Sequence, residues 1–481
     1  MTDAPTTYPT PADALAALPA GLDEEIRSEA QQSLAQILEE LTHRPIPVGR
    51  INRFWALGSL QARLALGYFA WWLRKGFISA DASEAALNEQ HLRAALRMLS
   101  TMGYMRGVVM KMGQALAQIP NLLPEQFLDV AGHLYFDAPP MHYSMLREHV
   151  RNELGADPTD VFDDFEPQAF AAASLGQVHR ARLKGSGHPV AVKIQYPNIA
   201  RTIQEDIRNL IALMFPMRLS NDWENLKVQM TDVAEMLDYE SDYLREAENQ
   251  EHARSLFTPE DGVVVPRVYE DLSTRRVLTM DYLDGLHLNA YRRTNPSQAN
   301  CDRHGANIFK SSLRTWYAGR MTYADPHPGN YLFLPDGRLG LLDFGCCRRF
   351  TIEEWEYLKR VEEVFDKDDE ALRLVLAEST DLPVERVETD RDRFDLLVKY
   401  TNWIWEPMRA HGVFDFGTDS YLERGMALYG EVVRKRYTRS KPVNTWISRC
   451  FIGLRVLAYH LKSRFDVGAL YLEERKAGYA E

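Results

Sequence analysis

Two short apolar runs, Tyr331–Leu334 and Leu339–Leu342, are separated by Pro335-Asp336-Gly337-Arg338. Apolar runs of this length bounded by turn residues predict strands, and Pro-Asp-Gly predicts the turn between them. As a hairpin, the pair sets Asn330 and Asp343 side by side at one end. Upstream, Phe170–Leu183, a Lys-Gly-Ser-Gly-His turn and Val190–Tyr196 read as strand, turn, strand. The same pattern recurs from Val263-Val-Val-Pro through Arg276–Gly285, which ends in a connecting segment. Helical periodicity dominates elsewhere. It predicts a polar helix over 23–43, a long helix or helical pair over 84–119 and a helix with a connector over 141–165. Further helices are predicted over 198–216, 223–257 and 286–322, and over most of 351–475. The fold class is therefore α+β.

Composition narrows the function. The 481 residues are 45% apolar and 26% charged, as in ordinary globular proteins. A net charge of −12 argues against a general nucleic-acid binder. Cys301, Cys346, Cys347 and Cys450 form no CxxC and no metal spacing, which predicts a reducing compartment without a disulfide framework. No secretory signal is visible, and no 18-residue window is apolar enough to span a membrane. Residues 1–22 read as a loose tail. Residues 48–75 are rich in Trp and Leu and carry Arg50, Arg53, Arg63, Arg74 and Lys75. They fit a helix lying in a membrane interface and equally a core helix.

The candidate chemistry collects around the hairpin. Asp325, Asn330 and Asp343 follow the spacing Asp-x-x-x-x-Asn, then Asp-Phe-Gly, of the protein-kinase catalytic and metal-binding loops. Asn330 and Asp343 are hard oxygen ligands suited to Mg²⁺ shared with phosphate oxygens. Asp325 occupies the place of the catalytic base. A second copy, Asp415-Phe416-Gly417, has no apolar strand before it and reads as a turn. The kinase phosphate loop is Gly-x-Gly-x-x-Gly-x-Val. Here the register runs Ala171, Ala172, Ala173, Ser174, Leu175, Gly176, Gln177, Val178, so two glycines have become alanines and the loop should be stiffer. Val190-Ala-Val-Lys193 supplies the strand lysine that holds α/β phosphates. Kinase logic also needs a helix glutamate to orient that lysine, and Glu205 and Glu246 both qualify by position. Met280 and Tyr282 fall in the hinge, whose backbone bonds adenine; Val178, Ala191 and Leu332 supply apolar surface about the base. Lys111 and Gln114 share one helix face.

Together these residues resemble the UbiB/AarF family of atypical protein-kinase-like proteins. The resemblance covers roughly residues 48–350 and rests on Lys111-x-Gly113-Gln114, Ala171-Ala-Ala-Ser174, Glu240-x-Asp242 with Glu246 and Asn249, Asp325-Pro-His-Pro-Gly-Asn330 and Asp343-Phe-Gly345. It implies a bilobal kinase-like fold with a small β-rich N-lobe, a helical C-lobe and an N-terminal helical extension. The implied domains are a tail and polar helix over 1–47, the extension carrying KxGQ over 48–140, the N-lobe with inserted helices over 141–284 and the C-lobe over 285–481. It also implies ATP and Mg²⁺ as cofactors. Lys111 and Gln114 would close the cleft against Glu240 and Asp242, Glu246 would pair with Lys193, and Asn330 and Asp343 would hold the metal. Implied partners are membrane lipids or components of an isoprenoid-quinone pathway, with no integral span, no nucleic acid and a homodimer left open. The implied location is the cytoplasm or, peripherally, a membrane surface.

Two departures from ordinary kinases stand out. His327 replaces the lysine often found two residues after the catalytic Asp, a weaker and pH-dependent cation. After Asp343-Phe-Gly345 there is no Ala-Pro-Glu and little room for an activation segment. An Mg²⁺-ATP-dependent ATPase or small-molecule kinase is the leading expectation, a nucleotide-switched scaffold without catalysis is the second, and a conventional protein kinase is the third.

Overall fold

The structure is a computed structural model, and it describes residues 143–173, 175–197, 237–324, 326–364, 368–380, 382–435, 437 and 441–479. The elements predicted over 23–43, 84–119 and 198–216, with Lys111, Gln114 and Glu205, lie outside the described residues. So do Ser174 and Asp325. Strands and helices are mixed as the hydrophobic pattern predicts. The chain clusters as two units: 1–180 with 193–241, and 181–192 with 242–481.

In the first unit, helix α1 (Tyr143–Leu154) is followed by the single turn α2 (Pro158–Val161) and strand β1 (Phe162–Asp163). Asp157 ties this corner together, accepting from Arg151 Nε at 2.7 Å and from Arg147. Strand β2 (Ala171–Ala173) pairs antiparallel with β3 (Gly176–Leu183), with Ala173 opposite Gly176. The single strand predicted over 170–183 is thus two paired strands, and the predicted Lys-Gly-Ser-Gly-His turn follows β3. Buried Phe165 stacks on buried His179 with centroids 5.1 Å apart. Strand β4 (Pro189–Gln195) follows and pairs with β3, which also carries β1 and β2.

The second unit begins with α3 (Tyr243–Ser255), β5 (Val263–Val264) and β6 (Val277–Asp281). Helices α4 (Leu288–Arg293) and α5 (Gln298–Tyr317) lead into β7 (Met321–Tyr323). The hairpin forms from β8 (Tyr331–Phe333) and β9 (Leu339–Leu341), with Tyr331 opposite Leu341. Its turn closes through Leu334 N–H to the Arg338 carbonyl at 3.0 Å, and Gly337 takes φ +83°, where glycine carries no Cβ penalty. Val263–Val264 pairs parallel with Leu339 and Gly340 of β9 rather than with β6, so it extends the hairpin into a three-stranded sheet, β5-β9-β8. Next come β10 (Cys347–Arg349), α6 (Ile352–Glu363), α7 (Asp369–Ser379), α8 (Arg386–Thr389) and α9 (Arg391–Arg409). The chain ends with β11 (Phe414–Asp415), α10 (Asp419–Arg434), α11 (Pro442–Leu461), β12 (Arg464–Phe465) and α12 (Val467–Tyr479).

Two groups of buried polar contacts hold this helical unit together. Glu362, 7% exposed on α6, accepts from the hydroxyls of Tyr317, Tyr471 and Tyr479 and pairs with Arg475 at 2.9 Å. Arg314 on α5 forks onto Glu474 of α12 at 2.9 and 2.7 Å. Both tie the last helix to α5 and α6. In the second group, Pro407 inside α9 has no N–H to give the Trp403 carbonyl four residues earlier. Tyr421 O–H donates there at 3.2 Å, and fully buried Arg455 donates to Tyr421 at 2.9 Å.

Candidate active site

The hairpin brings Asn330 and Asp343 together at one end, as the turn between two apolar runs predicts. Past the Tyr331–Leu341 pair, Leu342 N–H donates to the Asn330 carbonyl at 3.0 Å, so Asn330 and Asp343 leave the same end of the sheet. Asn330 closes a short turn, Pro328–Asn330, in which His327 Nδ1 accepts from Gly329 N–H at 3.1 Å. The imidazole thus caps the turn, a task a lysine could not perform. Asp343 folds back on its own motif, with Oδ1 accepting from Gly345 N–H at 2.9 Å. The Phe344 ring is fully buried, edge-on to Tyr323 at 5.5 Å. Among the described residues no group of three or more His, Cys, Asp or Glu could hold a metal. A carboxamide and a carboxylate at one hairpin end do fit Mg²⁺, which takes one or two protein groups and completes its shell with phosphate oxygens and water.

Beyond Gly345 the chain is fastened at once. Ala324 N–H donates to the Cys346 carbonyl at 3.0 Å, and Cys347–Arg349 pairs with Met321–Tyr323. Thr351 then opens α6 with a capping box to Glu354. Only residues 346–350 separate the Asp-Phe-Gly turn from this helix, in line with the small activation segment predicted. Burial, with neighbouring Cys346, Asp343, Glu246 and Cys450, pushes the Cys347 thiol well above its usual range, so it stays protonated.

The helix predicted over 223–257 is interrupted at Ser241–Asp242. Glu240, 6% exposed, belongs to the turn of helix before the break. Asp242 is the N-cap of α3, accepting from Leu244 N–H at 3.1 Å and Arg245 N–H at 3.4 Å, and it pairs with Arg275 at 3.3 Å. The periodicity missed this because capping residues are themselves polar and fit the exposed face of a longer helix. Glu246 sits one turn further on and is 1% exposed. The polar residues after it reach outward from α3 to main-chain groups of three segments. Asn249 donates to the Phe344 carbonyl at 3.4 Å and Gln250 to the Pro266 carbonyl at 2.8 Å. Glu251 accepts from Val268 N–H at 2.7 Å, and His252 bonds the Gly319 carbonyl at 2.9 Å.

The expected nucleotide-binding residues take these places. Ala171, Ala172 and Ala173 are strand, with Ala171 opposite Val178. Lys193 is on β4 with 6% of its surface exposed. Ala191, Met280 and Leu332 are buried, and Tyr282 is half-buried. Tyr282 N–H donates to the Pro189 carbonyl at 3.1 Å, and the preceding Asp281 accepts from Tyr269 O–H at 2.8 Å and bonds His188 at 2.9 Å. The segment expected to form the hinge is thereby held to β4.

One contact near the site had no signal in the sequence. A Cβ on Gly453 of α11 would fall 2.1 Å from Pro326 Cγ, so glycine there is what lets the Asp-Pro-His-Pro-Gly-Asn loop lie on the helix. Nothing in an apolar helix pattern marks that position.

Comparison with known proteins places the chain in a family. The model of the ABC1 atypical kinase-like domain matches residues 133–376, half of the chain. The chain belongs to this family. Rat atypical kinase COQ8B, mitochondrial, is 30% identical over 92% of the chain and 85% of its own length. The AarF domain-containing protein kinase 1 of Xenopus laevis is 31% identical over 54% of the chain and half of its own length. Among solved structures, an Rv3197–erythromycin complex from Mycobacterium tuberculosis matches with a TM-score of 0.51 and 24% identity, covering 84% of the chain and all of the other. The fold is therefore α+β and kinase-like, as the UbiB/AarF resemblance implies. None of the described helices is long and apolar enough to cross a membrane.

Proposed function

We propose that this atypical kinase binds Mg²⁺-ATP and transfers or hydrolyses its terminal phosphoryl group in support of isoprenoid-lipid, and specifically ubiquinone, metabolism at a membrane surface. The observation carrying this reading is the meeting of Asn330 and Asp343 at one hairpin end, with the Asp343 carboxylate pinned by Gly345 N–H. Bound Mg²⁺ would neutralise charge building on the phosphates. Asn330 and Asp343 hold it by their side-chain oxygens. Asp325 orients or deprotonates the attacking water or hydroxyl. On the motif alone, Lys193 is assigned to the α/β phosphates, Glu246 to orienting it, and Lys111, Gln114, Glu240 and Asp242 to closing the cleft. Ala171 to Ser174, Val178, Ala191, Met280, Tyr282 and Leu332 are assigned to the nucleotide in the same way.

The five-residue stretch 346–350, paired into β10–β7, supports an acceptor other than a peptide, because a peptide platform in kinases is built from a longer segment. The test is ATP hydrolysis by purified protein with Mg²⁺, with and without anionic lipid vesicles. Asp343→Asn should lose turnover by about a hundredfold or more. Nucleotide binding without turnover under both conditions would replace catalysis with a nucleotide-switched scaffold. Deleting residues 48–75 should weaken vesicle binding; unchanged binding would refute that segment's membrane role.

A further inference from the structure

We propose that Asn249 is a positioning residue for the Asp343 carboxylate, acting through the one peptide group that joins Phe344 to Gly345. This rests on the Mg²⁺-nucleotide reading above. Asn249 Nδ2 donates to the Phe344 carbonyl at 3.4 Å, and Gly345 N–H donates to Asp343 Oδ1 at 2.9 Å. That carbonyl and that N–H are the two ends of a single planar peptide unit and point in opposite directions. Turning the carbonyl away from Asn249 turns the N–H away from Asp343 by the same angle. Through this peptide the side chain of α3 bears on the direction of the Asp343 carboxylate. Drawing on the carbonyl also makes the N–H a better donor, since bonds in series polarise one another. At 3.4 Å the first link is longer than the usual ~2.7–3.2 Å, so it adds little stability and acts on orientation.

The donor itself is held in place. Asn249 is 5% exposed, and the next three residues of α3 are fixed by Gln250 to Pro266, Glu251 to Val268 and His252 to Gly319. The Phe344 side chain, fully buried, holds the other face of the loop. The peptide between them has little freedom except rotation about its flanking bonds, which is the motion the Asn249 contact opposes.

The test uses the full chain, Mn²⁺ as the spectroscopic metal and a non-hydrolysable ATP analogue. Asn249→Leu keeps the shape and removes the donor; Asn249→Ser serves if the leucine variant does not fold. Mn²⁺ affinity in the presence of the analogue, read by electron paramagnetic resonance, should fall about tenfold, while metal-free analogue binding stays at the wild-type value. Gln250→Leu, which cuts a comparable side-chain-to-carbonyl bond on the same helix, should lower the unfolding midpoint and leave Mn²⁺ affinity alone. Mn²⁺ affinity within twofold of wild type in the Asn249 variant overturns the proposal, as does an equal loss of metal-free binding. Hydrogen exchange at the Gly345 amide, without ligand, separates the two readings. If wild-type protein binds neither probe, the nucleotide reading falls, and exchange no faster in the Asn249 variant still refutes the relay.

Discussion

Substituting Gly453 by alanine should damage the site without touching any residue that binds or reacts. The new Cβ would stand 2.1 Å from Pro326 Cγ, whereas carbon atoms pack at about 3.5–4.0 Å. Either α11 or the loop must give way by about 1.5 Å, and a proline ring has no rotamer to swing aside. Alanine gains about 1 kcal/mol over glycine in a helix interior, and overpacking costs about 1–3 kcal/mol, so net stability should fall by no more than about 2 kcal/mol. Activity is more sensitive, because a misplacement of about 1 Å can cost about a hundredfold. Pro326 adjoins Asp325, so the shift lands at the assigned catalytic base. Gly430→Ala is the matched control: that glycine is also helical and has nothing within 4 Å of its virtual Cβ. It should stabilise by up to about 1 kcal/mol and leave turnover unchanged. The assay pairs denaturant unfolding with ATP turnover for both variants. Wild-type turnover in Gly453→Ala, at any stability, would refute the argument that this glycine sets the loop.

Two further predictions concern stability. Glu362→Gln removes a buried charge that serves three tyrosine hydroxyls and Arg475, and should cost about 3–5 kcal/mol in chemical unfolding; a loss under about 1 kcal/mol would show that the cluster rearranges freely. His304 stands edge-on to both rings of the stacked Tyr291–Phe333 pair, at 5.1 and 4.9 Å, and burial, with nearby Arg303, pushes its pKa down to about 4. The unfolded chain binds that proton more readily, so stability is full above about pH 6.5 and is lost as pH falls towards 4, by up to about 3 kcal/mol. His304→Gln should flatten that part of the stability profile, and an unchanged slope would place the effect elsewhere.

The hairpin was legible because what dictates it is local. The turn residues Pro335 to Arg338 and the flanking apolar runs dictate the hairpin, and the hairpin alone brings Asn330 to Asp343. The two Asp-Phe-Gly copies show where local reading stops. Gly417 N–H bonds Asp415 Oδ1 at 2.8 Å, nearly the same turn as at Asp343, and Phe416 is as buried as Phe344. The expected turn is present, yet a two-residue strand, Phe414–Asp415, precedes it and pairs with Arg464–Phe465. That partner lies some fifty residues downstream, beyond any window of periodicity. The break before Asp242, the pairing of Val263–Val264 with β9 and the fit of Gly453 on Pro326 share that origin: each is decided by what a segment meets in space.

The stretch 346–350, already noted for its length, also has a telling chemistry. Cys-Cys-Arg-Arg-Phe contains no serine, threonine or tyrosine. Kinases commonly receive their on-signal as a phosphate ester on this part of the chain, where the new charge orders a loop. Here the next hydroxyl is Thr351, and it is already spent accepting Glu354 N–H at 3.2 Å to start α6. An ester there would face the Glu353 and Glu354 carboxylates and dismantle the cap. A signalling enzyme therefore has no place to write its message on this segment, and whatever sets the working state of the protein must arrive by another route.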